Sequence, residues 1–364
     1  MNSWRVFILR ADERERAANR EDTMTKFWAP SRRSFVKGGL AAAGLSAVPF
    51  SSALSAGFPD RNIKVYVPTR EGGGADRNLR AFTGVWKKYL KTNFEPSFYP
   101  GAAGRVGYET YMGKAPADCY NLLFGNMGPE MLNWVVKKPS FSLDDYFYFA
   151  RVDVDPSVVF VSAKSPFRSI DDVIAEGKKR TLNVGTSRLA HPASIGILAV
   201  GEHTGAKFNL IPLSGGKNTI AGVVTGEMDL GVLPSGSVSK KGVKVLRSLL
   251  VFDEKNRLGA RLSSFDVNAP TANDHFGTKL PPLVSARAFA IQKRAVDAHP
   301  DRYKAMNDTI LKVFGDPDYK KAVLKTKAPW ENIRYGDAAA CKTYAESITA
   351  IGERFKPLMT GKKS

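Results

Sequence analysis

The chain has 364 residues, 54 of them Lys or Arg and 35 Asp or Glu, for a formal charge of +19 with histidine neutral. Apolar residues at 43% and charged residues at 24% are globular values, which excludes a disordered tail or a fibrous repeat. Two cysteines, Cys119 and Cys341, and four histidines without an HExxH pattern exclude a disulfide scaffold and a multi-cysteine metal cluster.

At the N-terminus, Ser31-Arg32-Arg33-Ser34-Phe35-Val36-Lys37 leads into an uncharged stretch from Gly38 to Phe50 and then into Ser52-Ala53-Leu54-Ser55-Ala56. A basic region, an apolar segment and a small-residue zone in that order form the layout of an export signal. The paired arginines before Phe and Lys resemble the twin-arginine kind. The uncharged stretch is shorter than the roughly 20 residues a bilayer span needs. Export to the periplasm with cleavage near Ala56 is expected, and Met24 offers a second start that would make residues 1–23 an upstream extension. Without residues 1–56 there remain 45 basic and 30 acidic residues, a charge of +15. The basic residues are scattered and no aromatics are interleaved with them, so nucleic acid is not an expected partner. The charge reads as a solvated surface or as attraction for a small anion.

Ile63 to Val67 alternates as a strand, the glycines Gly72, Gly73 and Gly74 break it, and a helix follows from Ala75 with Leu79, Phe82, Trp86 and Leu90 on one face. Asn121 to Asn126 and Ser157 to Val161 read as strands. A second strand, loop and helix unit begins at Thr181, loops through Gly185 to His191 and restarts as a helix at Pro192, where proline suits the first helical position. Asp229 to Leu233 and Val243 to Val251 are further strands. A helix from Asp301 carries Tyr303, Met306, Ile310, Val313 and Phe314 on one side, and Asp316-Pro317-Asp318 precedes another helical run. Strands alternating with helices predict α/β architecture with largely parallel sheets. The length suggests about two domains at roughly 150 residues each. With no linker of biased composition between them, the chain is expected to cross between two lobes more than once and leave a cleft.

Ligands of open α/β sheets bind beyond the carboxyl ends of strands, where helix N-termini present unpaired N–H groups. Both glycine-containing loops occupy such positions. Gly72, Gly73 and Gly74 admit an anion close to the backbone because no Cβ intervenes, although a plain tight turn is the alternative use. Asp76 in the first helical turn either complements the dipole or anchors the loop. Arg188, in a loop before a helix, can clamp a carboxylate through paired hydrogen bonds or sit on the surface. His191 reads as a helix cap, and no Ser or Cys nucleophile motif accompanies it. Gly101-Ala102-Ala103-Gly104-Arg105-Val106-Gly107 has the wrong spacing for a dinucleotide fingerprint, and no Walker loop is present. Cys119 and Cys341 could pair after export.

Several short blocks together resemble one family. Pro59-Asp60-Arg61-Asn62-Ile63 with Val67-Pro68, Gly72-Gly73, Asp76 and Arg80 form the first, and Gly101-Ala102-Ala103-Gly104 with Gly107 and Ala117-Asp118-Cys119-Tyr120 the second. Gly185-Thr186-Ser187, Gly205, Ile211-Pro212, Gly215-Gly216 and Gly226-Glu227-Met228-Asp229 form the third, and Pro270-Thr271 the fourth. In this order they resemble the extracytoplasmic solute receptors of tripartite tricarboxylate transporters, the Bug proteins. The resemblance implies a type II periplasmic-binding-protein fold, α/β, whose two lobes close on a small carboxylate. It implies lobe 1 at residues 57–156 and 284–364, lobe 2 at 157–283, a monomer, and membrane permease subunits as partners. The ligand-binding residues carried over are Thr69, Arg70, Gly72, Gly73, Gly74 and Asp76 from one loop and Thr186, Ser187, Arg188 and His191 from the other, with Asn126 beside them. No catalytic residue, metal or cofactor is assigned. The alternative is a twin-arginine-exported enzyme acting on a small anion. The chain departs from the family pattern at Thr69-Arg70-Glu71, at Cys119 and Arg188 in place of glycines, and at Ser194 in place of a histidine.

Overall fold

A computed structural model of the chain describes residues 57–241, 244–257 and 269–360, all within one unit, Ala53–Ser364. The export signal read at residues 31–56 lies outside the described residues. Strand β1 (Ile63–Val67) is buried almost throughout, as the interior strand of a parallel sheet must be. Helix α1 (Gly74–Leu90) starts with Asp76 in its first turn and ends with Lys87 and Lys88 in its last, charges that complement the helix dipole. Its stripe of Leu79, Phe82, Trp86 and Leu90 is buried. Next come β2 (Phe94–Phe98), α2 (Arg105–Lys114), β3 (Asn121–Asn126) and α3 (Met127–Val136), with β1 paired in parallel between β2 and β3.

A long strand, β4 (Tyr146–Ser162), then leads into a second set: α4 (Ile170–Lys179), β5 (Leu182–Thr186), α5 (Pro192–Thr204), β6 (Phe208–Pro212), α6 (Gly216–Thr225) and β7 (Leu230–Pro234). Here β5 lies in parallel between β6 and β7, the arrangement of the first set over again. The short α7 (Ser235–Val238), β8 (Leu246–Phe252) and α8 (Ala272–Phe276) precede β9 (Val284–Gln292). The chain ends through α9 (Lys293–Ala298), α10 (Pro300–Gly315), α11 (Pro317–Lys325), β10 (Ile333–Gly336) and α12 (Ala338–Met359).

The strand order is β2-β1-β3-β9-β4-β7-β5-β6, with β8 and β10 also paired to β4. β4 serves both sets: Tyr146 to Pro156 pair with β9, while Ser157 to Ser162 pair with β8 and partly with β7. The expectation of largely parallel sheets therefore needs correction, because the pairings of β4, β8, β9 and β10 are antiparallel. The strand expected at Ser157 to Val161 is only the end of β4, and β9 went unread. All nine residues of β9 are buried, so it lacks the alternation that marks a half-exposed strand.

One face of the first set packs under α1, α10 and α11 around Phe82, Trp86, Phe289 and Tyr319. Each such aromatic contributes roughly 2–3 kcal/mol by leaving water. Met306, Ile310 and Val313 of α10 join this cluster, and Trp86 Nε1 donates to Thr309 Oγ1 at 2.9 Å. The other face packs under α2, α3 and α12 through Tyr108, Tyr111, Trp134, Ile348 and Phe355. Cys119 and Cys341 are both buried and free, so the pairing left open by the sequence is not made. They belong to different clusters, one on each face.

Candidate anion-binding site

The loop after β1 is closed by its own helix. Gly72 takes a left-handed conformation (φ 72°), and its N–H donates to Asp76 Oδ2 at 2.8 Å. The other Asp76 oxygen accepts from Arg80 Nε at 2.6 Å, and Arg80 also reaches Glu71. Arg77 Nη1 donates to the Gly72 carbonyl at 2.6 Å. Asp76 is thus the loop anchor, 4% exposed and with both oxygens engaged. Gly73 starts the helix without any side-chain cap, which leaves the first N–H groups of α1 free of a capping side chain. A Cβ at Gly74 would stand 2.9 Å from Arg287 Nη1, so a larger residue there would have to displace the end of that side chain. Arg70 is exposed at the tip, whereas Thr69 is half-buried and its hydroxyl has no partner.

The Gly101 to Gly104 turn lies directly on this loop, for Cβ atoms at Gly104 and Gly107 would both press on Pro68. Within it Ala102 and Ala103 have φ of 44° and 59°, a conformation that costs an L-residue roughly 1–2 kcal/mol. The turn directs the Ala103 carbonyl outward. That oxygen accepts from Asn133 Nδ2 at 2.9 Å and from Arg188 Nη1 at 2.8 Å. The second loop therefore reaches the first set of elements through Arg188.

The loop after β5 is built to carry that arginine. The Thr186 and Ser194 hydroxyls lie 2.8 Å apart, and both donate to the Arg188 carbonyl, at 3.2 and 2.9 Å. His191 Nδ1 accepts from the Ala193 N–H at 3.0 Å, capping α5, and its Nε2 lies 3.4 Å from Ser285 Oγ. Burial, with the nearby Arg188 charge, pushes the His191 pKa down to about 3, so the ring is neutral. Burial also holds the Arg188 guanidinium below its ordinary value. Among the described residues no carboxylate pairs with Arg188; its side chain meets a carbonyl oxygen alone. Ser187 is half-buried beside it.

Asn126 starts α3 without capping it, and its Oδ1 is buried and unpartnered. Tyr108 and Pro68 both lie against Gly104, the neighbour of Ala103, for a Cβ at Gly104 would stand 3.8 Å from Tyr108 Cε2 and 3.2 Å from the Pro68 carbonyl. Through Ala103, Arg188 thus meets the first set of elements next to Tyr108 and Pro68, at the start of the first glycine loop. Gly74 also lines a polar crevice of about 70 Å³ with Arg77, Asp153, Asp155, Lys240 and Arg287. Arg287 is paired there with Asp153 and Asp155.

A larger hollow of about 760 Å³ lies elsewhere, lined by Met131, Tyr146, Tyr148, Cys341 and Ala345 among others. It holds none of the residues predicted from sequence. Its floor is apolar and its two tyrosine hydroxyls are engaged by Glu130, so Arg188, half-buried and without an acidic partner among the described residues, marks the better anion site. The sequence reading missed Ala103, Tyr108, Ser194 and Arg287. The Gly101 to Gly107 segment stood out in the sequence as a mis-spaced nucleotide motif and as a block of the family resemblance, neither of which points to the Ala103 carbonyl.

No family model matches the chain, and no curated protein matches it significantly. Solved structures do match. A TctC solute binding protein from Polaromonas, without ligand, is 21% identical with a TM-score of 0.65, covering 84% of this chain and 100% of its own. The periplasmic binding protein BugD is 16% identical with a TM-score of 0.65, covering 82% and 97%. An R. palustris protein with adipate is 18% identical with a TM-score of 0.68, covering 84% and 98%. The chain has the α/β fold of these solved binding proteins.

Proposed function

We propose that the chain is an extracytoplasmic receptor that captures a small organic carboxylate between two lobes and hands it unchanged to a membrane transporter of the tripartite tricarboxylate type. Residues 57–156 with 284–364 form one lobe in this reading, and 157–283 the other. The observation that carries it is the half-buried Arg188 guanidinium, which has no acidic partner among the described residues. A cation removed from water without a counter-charge is costly, and an incoming carboxylate supplies that charge through a charge-assisted bond stronger than the one to the Ala103 carbonyl. Ser187, Thr69 and the uncapped N–H groups at Gly73 and Gly74 would complete the grip. Asp76, Gly72, Thr186 and His191 hold the loops in shape, and Arg70 lies at the rim.

The structural likeness to an adipate-bound protein supports a carboxylate ligand. The sequence at Arg32-Arg33 supports delivery to the periplasm through twin-arginine export. The binding reaction needs no catalytic residue, metal or cofactor. Opening of the lobes breaks the Arg188 to Ala103 bond, and closure on an anion replaces it. A thermal-shift screen over mono-, di- and tricarboxylates tests the reading, because a ligand of the folded state raises Tm. Stabilisation by at least one acid, abolished in Arg188→Ala, is the expected result; an unchanged Tm across the panel overturns it.

A further inference from the structure

A second gathering of charge surrounds the polar crevice at the start of α1, which Arg188 does not line. At its centre Arg287, 8% exposed, donates through Nε to Asp153 Oδ1 at 2.7 Å. Its Nη2 pairs with Asp153 Oδ2 at 2.5 Å and with Asp155 Oδ2 at 3.1 Å. Both carboxylates are engaged from other sides as well. Asn78 Nδ2 donates to Asp153 at 2.6 Å, and Asp155 Oδ1 accepts from Ser235 Oγ, the Gly236 N–H and Asn332 Nδ2 at 2.8, 2.9 and 3.2 Å. The remaining guanidinium nitrogen, Arg287 Nη1, meets no acceptor among the described residues. It stands against Gly74, at the end of α1 that no side chain caps.

Two more cations line the same crevice. Arg77 of α1 gives only Nη1 to the Gly72 carbonyl. Lys240, just beyond α7, is exposed and has no hydrogen bond or ion pair among the described residues. Partial desolvation, with the Arg77 and Arg287 charges, pushes the Lys240 pKa down to about 8 against the opposing pull of Asp155. Three cations therefore face two carboxylates that are already satisfied, which leaves one positive charge uncompensated. The crevice, about 70 Å³, has room for an ion or a few waters.

We propose that this crevice binds a small inorganic monoanion, such as chloride, between Arg287 Nη1, Arg77 and Lys240. A monoanion cancels the single excess charge, whereas a dianion would meet Asp153 and Asp155 with charge to spare. The positive end of the α1 dipole adds to the attraction. The bound ion bridges α1 to the segment after α7. The site goes beyond the receptor reading and does not depend on it.

The chloride NMR linewidth of a sodium chloride solution reports exchange with protein-bound ion. Wild-type protein is expected to broaden the line, and bromide to reverse the broadening by competition. Lys240→Gln and Arg77→Gln should each cut it several-fold, while Lys312→Gln, on the exposed side of α10, and Arg188→Ala leave it as in wild type. Replacing chloride by isethionate, a bulkier monoanion, at fixed ionic strength should lower the wild-type Tm by about 2 °C and that of Lys240→Gln hardly at all. Substituting Arg287 would leave Asp153 and Asp155 buried without a counter-charge, so Arg77 and Lys240 carry the test. In bromide-soaked crystals, anomalous density is expected in the crevice beside Arg287. Equal broadening in wild type and both crevice variants, or bromide density only elsewhere, overturns the proposal. Loss of broadening in Arg188→Ala alone assigns the ion to that loop and overturns it too. A carboxylate screen without a hit removes the receptor reading and leaves this site standing; an unbroadened chloride line does the reverse.

Discussion

The loops after β1 and β5 read alike in sequence, each a strand running through a turn into a helix, yet the structure uses their charges in opposite ways. In the first, Asp76, Arg77, Arg80 and Glu71 engage one another and the loop backbone. In the second, the polar side chains of Thr186, Ser194 and His191 serve the loop, while Arg188 reaches out to Ala103. A charge neutralised within its own turn shapes the chain, and a charge left without a counter-ion at a buried boundary is available to a ligand.

Four substitutions or conditions would break or sharpen that contrast. Arg188→Ala should weaken binding of the best carboxylate by about 10- to 100-fold, the worth of a charged hydrogen bond, while Tm stays close to wild type; unchanged affinity in calorimetry would place the ligand elsewhere. The second effect is a pH dependence of folding. His191 has its folded pKa depressed from 6.5 to about 3, so the unfolded chain binds the extra proton and stability, full above pH 6.5, is lost as pH falls toward 3. Denaturant unfolding should give about 2 kcal/mol less stability at pH 5 than at pH 7, with much of that slope gone in His191→Asn. Asp76→Ala should cost about 1–2 kcal/mol through loss of the Gly72 and dipole interactions, seen as a lower Tm, with affinity reduced only as far as the loop loosens. Smallest, Ala103→Gly removes the left-handed strain of that turn and should raise stability by up to about 1 kcal/mol; a decrease would mean that the Ala103 methyl packs usefully.

The local units were legible because their signals are local. The periodicity of Leu79, Phe82, Trp86 and Leu90 gave α1, and His191-Pro192 gave the start of α5, since a cap and a proline each act within one turn. β9 and the true extent of β4 were not legible, because a strand buried on both faces has no alternation to announce it. Arg188 could be picked out as a loop arginine, but its contact with Ala103 spans 85 residues of chain and depends on how two sheets meet. Glu130 gave no sequence signal. It sits in a helix whose other early residues are Met127, Gly128 and Pro129, and only the fold brings Tyr146 and Tyr148 to its carboxylate.

The strand shared by the two sets of elements, β4, also governs how the protein comes apart. Cut between Pro156 and Ser157, the second fragment would keep Ser157 to Ser162 beside β7 and β8, but its β9 and β10 would lose their partner in Tyr146 to Pro156. The first fragment would hold Tyr146 to Pro156 with no strand to pair them, so the chain should melt as one cooperative body, and a single calorimetric transition whose van't Hoff and measured enthalpies agree is the signature of that bond.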